Sequence, residues 1–148
     1  MINLFLVVFS IGLTAASGWF AASYIDFGAI HEHRLEQEIK TGVHAYSDAL
    51  VTLDRLGKQP TADKGAIEAE LGVQTPILSR GEWSMGLVES EIWLCVTLNE
   101  PASRVFERVE RTFPQGATRR GLDCNGEEGH EDRVLAVTMA TEDRVVRF

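Results

Sequence analysis

Charge is missing from the start of the chain. No Asp, Glu, Lys, Arg or His occurs between Met1 and Ile25, so all 14 Lys and Arg and all 22 Asp and Glu of the 148 residues lie beyond that block. Written as one helix at about 1.5 Å per residue it spans about 37 Å, against roughly 30 Å of bilayer hydrocarbon. The block also lacks the basic n-region of a cleavable secretory signal, although Ala21-Ala22-Ser23 has the small residues of a cleavage site. A retained hydrophobic helix is expected over residues 1–25, ahead of a polar part over residues 26–148. A buried helix of a soluble protein is the third way to use the same residues.

Positive charge is in deficit overall. The net charge of -8 leaves no general electrostatic footprint for nucleic acid or anionic lipid, so nucleic acid is disfavoured as a general ligand. Cysteine is scarce as well: Cys95 and Cys124 are the whole complement, and neither belongs to a CxxC, which removes the usual zinc and redox motifs. Outside the cytoplasm the pair reads as one disulfide contributing roughly 3 kcal/mol in the loop-entropy account; elsewhere it reads as two unrelated buried thiols.

Catalytic signatures are absent too. There is no Gly-rich phosphate loop, GxSxG elbow, HExxH or Asp-rich calcium loop. His31 and His33 are two apart, a spacing that puts them on different faces of a helix, and His44 and His130 have no neighbouring ligand cluster. Glu127, Glu128, Glu131 and Asp132 crowd one loop without the alternation of oxygen ligands that calcium takes, so a solvated loop is expected. No catalytic residue, metal site or cofactor is assigned, and the chain is not expected to be an enzyme.

What is present is pattern. Leu35, Ile39, Val43, Tyr46, Leu50, Leu53 and Leu56 recur three or four residues apart, an amphipathic helical stripe ended by Gly57 and Pro60. With no strong breaker from Ile25 onward apart from Gly28 and Gly42, which offer bends, the spacing predicts a nearly continuous helix of about 50 residues, apolar all round first and amphipathic over residues 26–56. Thr61 is the expected cap of a short helix from Ala62 to Leu71, with Gly72 past its end. Residues Trp83–Val88 and Glu91–Leu98, rich in aromatic and β-branched side chains, predict two antiparallel strands turned at Glu89-Ser90. Asn99 and Pro101 open a helix with Val105, Phe106, Val109 and Phe113 on its apolar face. A short strand over Thr118–Leu122 leads to Cys124, and a last strand over Arg133–Ala140 has Leu135, Val137 and Met139 on one face. Arg104, Glu107, Arg108 and Arg111, with Arg119-Arg120, are expected on an exposed, ion-paired surface that in a self-assembling protein would select the partner's register.

In this arrangement the chain resembles the type IV pilin superfamily of pilins, minor pilins and type II secretion pseudopilins. The likeness rests on the apolar block from Met1 to Ile25 with Tyr24 near its end, the stripe from Leu35 to Leu56, Trp83-Ser84, and a strand reaching Cys95. It continues through the helix that ends Phe113-Pro114-Gln115-Gly116 before Cys124. The resemblance implies an α+β fold, a long N-terminal helix with an apolar first half packed on a small antiparallel sheet, and one C-terminal disulfide between Cys95 and Cys124. It implies processing and methylation at Met1, and filament-core packing by Leu4, Phe5, Leu6, Val8, Phe9, Ile11, Leu13, Trp19, Phe20 and Tyr24. The family's leader junction is missing, and Phe5 stands where the family has a glutamate that pairs with the neighbouring subunit's N-terminus. Some members that cap or initiate filaments lack that glutamate as well.

The expected function is a structural filament subunit. The resemblance implies residence in the inner membrane before assembly and in a cell-surface filament afterwards, with the globular part outside the cytoplasm and exposed for adhesion, motility or DNA-uptake contacts. Its partners would be copies of itself or related pilins in a helical filament, and the pilus assembly machinery. A single-pass inner-membrane scaffold with a periplasmic interaction domain is the alternative, and a secreted enzyme with a cleaved signal ranks third.

Overall fold

The computed structural model describes residues 27–72, 74, 76–88, 90–124, 129–141 and 144–145. The apolar block with Met1 and its proposed core residues Leu4 to Tyr24 lies outside the described residues, as do Glu89, Glu127 and Glu128. The chain divides into two compact units, Met1–His31 and Glu32–Phe148.

Helix α1, Phe27–Arg55, carries the predicted stripe. Leu35, Ile39, Val43, Tyr46, Leu50 and Leu53 are all buried, and each such side chain contributes about 1.5–3 kcal/mol on leaving water. Leu56, counted in the stripe, is 61% exposed. The reason is the chain reversal behind it: Gly57, at φ 70°, sends its N–H to the Asp54 carbonyl while Lys58 N–H reaches the Leu53 carbonyl at 3.0 Å. That paired closure ends the helix and turns Leu56 outward. Gly42 does not interrupt α1; the helix runs through it.

Helix α2, Lys64–Leu71, begins two residues later than expected and is capped by Asp63, not Thr61. The Asp63 carboxylate accepts from Ala66 N–H at 3.2 Å, whereas the Thr61 hydroxyl oxygen accepts from Asp63 N–H and so sits outside the helix. Gly72, at φ 62°, ends it. Tyr46 of α1 donates its hydroxyl to Glu68 of α2 at 2.8 Å, tying the two helices together.

Strands β1 (Gly81–Val88) and β2 (Glu91–Leu98) form the expected hairpin, closing on the pair Val88 and Glu91 with Ser90 at φ 68° in the turn. Helix α3, Ser103–Glu110, starts after Pro101 with Val105, Phe106 and Val109 buried. Strand β3 is shorter than expected, Thr118–Arg120, because Gly121 at φ 72° turns the chain. Strand β4, Val134–Thr141, is followed by a two-residue β5, Arg144–Val145, that the sequence pattern did not announce. All pairings are antiparallel, in the order β1-β2-β4-β3, with β5 beside the end of β4.

The sheet is therefore an antiparallel one with a long helix against it, an α+β fold. The main core joins α1, Ile67 of α2, the apolar face of α3 and one face of the sheet through Trp83, Leu94, Val96, Leu135 and Val137. A smaller layer on the other face contains Trp93, Cys95, Cys124 and Ala136. Strand β4 is consequently buried on both faces, not only along Leu135, Val137 and Met139. A register shift between Ile92 and Trp93 pairs them with Ala140 and Thr138, so Met139 and Ala140 both join the main core.

Candidate functional site

Cys95 and Cys124 are joined in a disulfide, with Cα atoms 5.7 Å apart. Both are buried, and the bond fastens the segment after β3 across the second face of the sheet. Gly86 of β1 permits that crossing, since a Cβ there would collide with the Cys124 carbonyl. Beside the disulfide, the Arg119 guanidinium lies 5.1 Å from the centre of the Trp93 ring and shields it from water.

The charges of α3 and β3 close within the chain. Arg108 donates to Glu36 at 2.8 Å and to Glu32 at 3.1 Å, while Lys40 donates to Glu36 at 2.6 Å. Arg120 holds Glu110 with two bonds of 2.8 and 2.6 Å, and Arg111 pairs with Glu107. The expected ion-paired surface is present, but its work is to tie α3 to α1 and to β3. Arg104 is exposed and has no ion pair among the described residues.

Glu36 was not singled out by sequence, yet it is a carboxylate on the buried face of α1 with its side chain 10% exposed. The available signal was its position between Leu35 and Ile39, four residues before Lys40. The Lys40 ammonium holds its carboxyl below the ordinary value against the opposing effect of burial, and Arg108 adds to that. Burial raises Glu38 as well, but Ser79, through N–H and hydroxyl bonds of 2.9 and 2.7 Å, together with Arg34, outweighs it and leaves the carboxyl lowered. Glu38 thereby anchors the chain just before β1.

Two of the clefts among the described residues are open to solvent. One of about 380 Å³ is lined by Glu107, Glu110, Arg111, Pro114, Gln115, Gly116 and Thr118, and its charged groups are already paired. The other, about 260 Å³, lies at the start of β1 between Lys64, Pro76, Leu78, Gly81, Glu82 and Trp83. Trp83 Nε1 is buried without a hydrogen-bond partner among the described residues.

His31, His33, His44 and His130 are exposed, with the His44 ring 6.4 Å from that of Phe113. Among the described residues no group of three or more His, Cys, Asp or Glu is arranged to hold a metal ion, and no helix is long and apolar enough to cross a membrane. The fold defines a class: a disulfide-closed α+β domain built on a long helix. No protein-family model, curated protein or solved structure matches the chain.

Proposed function

We propose that the chain is a structural subunit of a type IV pilus-like filament, held in the inner membrane through residues 1–25 and then assembled through the same residues into a filament core. Its action is packing, without a reaction or cofactor of its own. Helix α1 carries the proposal: it closes an antiparallel sheet with one face and follows directly on a block with no charge. An apolar segment of that length gains about 25 cal/mol per Å² on leaving water, so bilayer first and neighbouring helices later are its natural surroundings. The Cys95–Cys124 disulfide supports an oxidising compartment for the globular part, where adhesion, motility or DNA-uptake contacts would be made.

The deciding experiment compares the intact mass and N-terminal sequence of the native protein in material sheared from the cell surface with those in the inner-membrane fraction. The expected result is sheared protein with residues 1–25 retained and a methylated N-terminus at Met1. Protein confined to the membrane would instead establish a single-pass scaffold, and a chain starting near Tyr24 would reduce the apolar block to a signal.

A further inference from the structure

Among the described residues, no other strand pairs with the outer edge of β1. Asn99 N–H donates to the Arg80 carbonyl at 3.0 Å, one step before the Gly81–Leu98 pair. Bonded and non-bonded pairs alternate along an antiparallel ladder, so the even-numbered residues of β1 exchange bonds with β2. Gly81, Trp83, Met85 and Leu87 then turn their N–H and C=O groups away from the sheet. Among the described residues no strand or loop backbone bonds to that side.

Natural edges are usually blunted by charge, proline or a bulge. This one has none of the three from Trp83 to Val88, and its pairing with β2 runs without a shift from Gly81 to Val88. Leu87 is 66% exposed on it. We propose that β1 is an interaction surface for β1 of a second copy of this chain, paired antiparallel about a two-fold axis at Met85.

Length, parity, shape and charge all select that occupant. Among the described residues the other edge of the sheet offers three residues in β3 and two in β5, too short to cover eight. Centring the pair on Met85 sets Met85 against Met85 and Leu87 against Trp83, matching outward groups with outward groups. The exposed Leu87 of each copy then faces the partner's cleft, whose apolar walls are Pro76, Leu78 and Trp83. Glu91 at the hairpin end of one copy approaches the end of the other that carries Lys64, which has no ion pair among the described residues.

The test uses the full chain in the membrane fraction of expressing cells. Met85→Cys places a thiol on the two-fold axis, where Cα atoms of a bonded antiparallel pair are about 5.5 Å apart, within disulfide range. The expected result is a cross-linked dimer at least tenfold more abundant than from Thr52→Cys on the exposed side of α1. Leu87→Pro, which deletes one outward N–H on an edge that tolerates proline, should abolish the dimer and leave the circular dichroism melt in place. Leu87→Pro without any added cysteine should likewise halve the size of the particle in detergent. Cross-linking no better than Thr52→Cys, a dimer that survives Leu87→Pro, or capture of a different protein at Met85 would overturn the pairing. None of these outcomes depends on shearing or methylation, so this contact and the filament proposal fail separately.

Discussion

Gly42 of α1 lies directly against the six-membered ring of the Trp83 indole on β1: a Cβ built at Gly42 would overlap Cζ2 and Cη2 and sit 3.0 Å from Cε2. The glycine is a packing residue, the place where a large side chain of the sheet reaches the helix backbone. In a helix Ala is favoured over Gly by about 1 kcal/mol, so propensity alone makes Gly42→Ala stabilising. Overlap with a buried ring opposes this, and overpacking typically costs about 1–3 kcal/mol. Gly42→Ala is expected to lower stability in urea melts, and Trp83→Phe, which lacks the overlapped atoms, is expected to offset part of the loss in the double variant. Additive losses would mean that the two residues do not meet.

Legibility followed period. Leu35 to Leu53 repeat at helical spacing and are buried as a set, and the β1–β2 hairpin could be read because its aromatic and β-branched runs are separated by only Glu89-Ser90. Positions decided by partners distant in sequence could not be read in the same way. Burial of Glu36 depends on Arg108 of α3, burial of both faces of β4 depends on the segment that Cys124 fastens, and the packing role of Gly42 depends on Trp83. Caps fall between the two cases: Thr61 and Asp63 are both capping residues, and only the hydrogen bond to Ala66 tells them apart. The candidate site was legible as a cysteine pair and a charged surface, but not as an open strand edge, since no local pattern says which strand is outermost.

The disulfide should account for a measurable share of stability. Replacing both Cys95 and Cys124 by Ala removes a cross-link across 29 positions, a loss of about 3.6 kcal/mol in the chain-entropy account. Thermal melts of the double variant and of the reduced wild type should shift down together. Because both sulfur-bearing residues are buried, reduction should be slow in native buffer and fast near the melting transition. Rapid reduction without unfolding would show the second face of the sheet to be open.

Acid should weaken the join between α1 and α3. The Glu36 carboxyl is held below its ordinary value first by Lys40 and then by Arg108, so its folded-state value is depressed. A depressed carboxylate contributes stability that is present above its unfolded value, about 4.3, and that is lost as pH falls through the folded value. Stability measured by urea should be flat from neutral pH to about 5 and decline below about 4.3. Glu36→Gln should flatten part of that decline and lower stability at neutral pH by about 1–3 kcal/mol, the scale of a lost charged hydrogen bond. An unchanged acid limb in Glu36→Gln would assign the decline to other carboxylates, Glu38 first among them.

Folding and assembly should separate at the start of α1. The buried face of the helix begins at Leu35, and the disulfide, the Arg108 pairs and both apolar layers all lie within Glu32–Phe148. On the other side of α1, Gln37, Thr41, His44, Asp48 and Thr52 are exposed and polar, a surface with little apolar area to bury against a neighbouring helix. If filament cohesion resides in residues 1–25, a chain starting at Phe27 should keep the wild-type circular dichroism spectrum and its disulfide while forming no pelletable filament. It would remain a small particle in the ultracentrifuge, no larger than the dimer that β1 pairing permits. Filaments from the shortened chain would transfer cohesion to the globular part and remove the role proposed for the charge-free block; loss of folding would instead make that block part of the domain's own core.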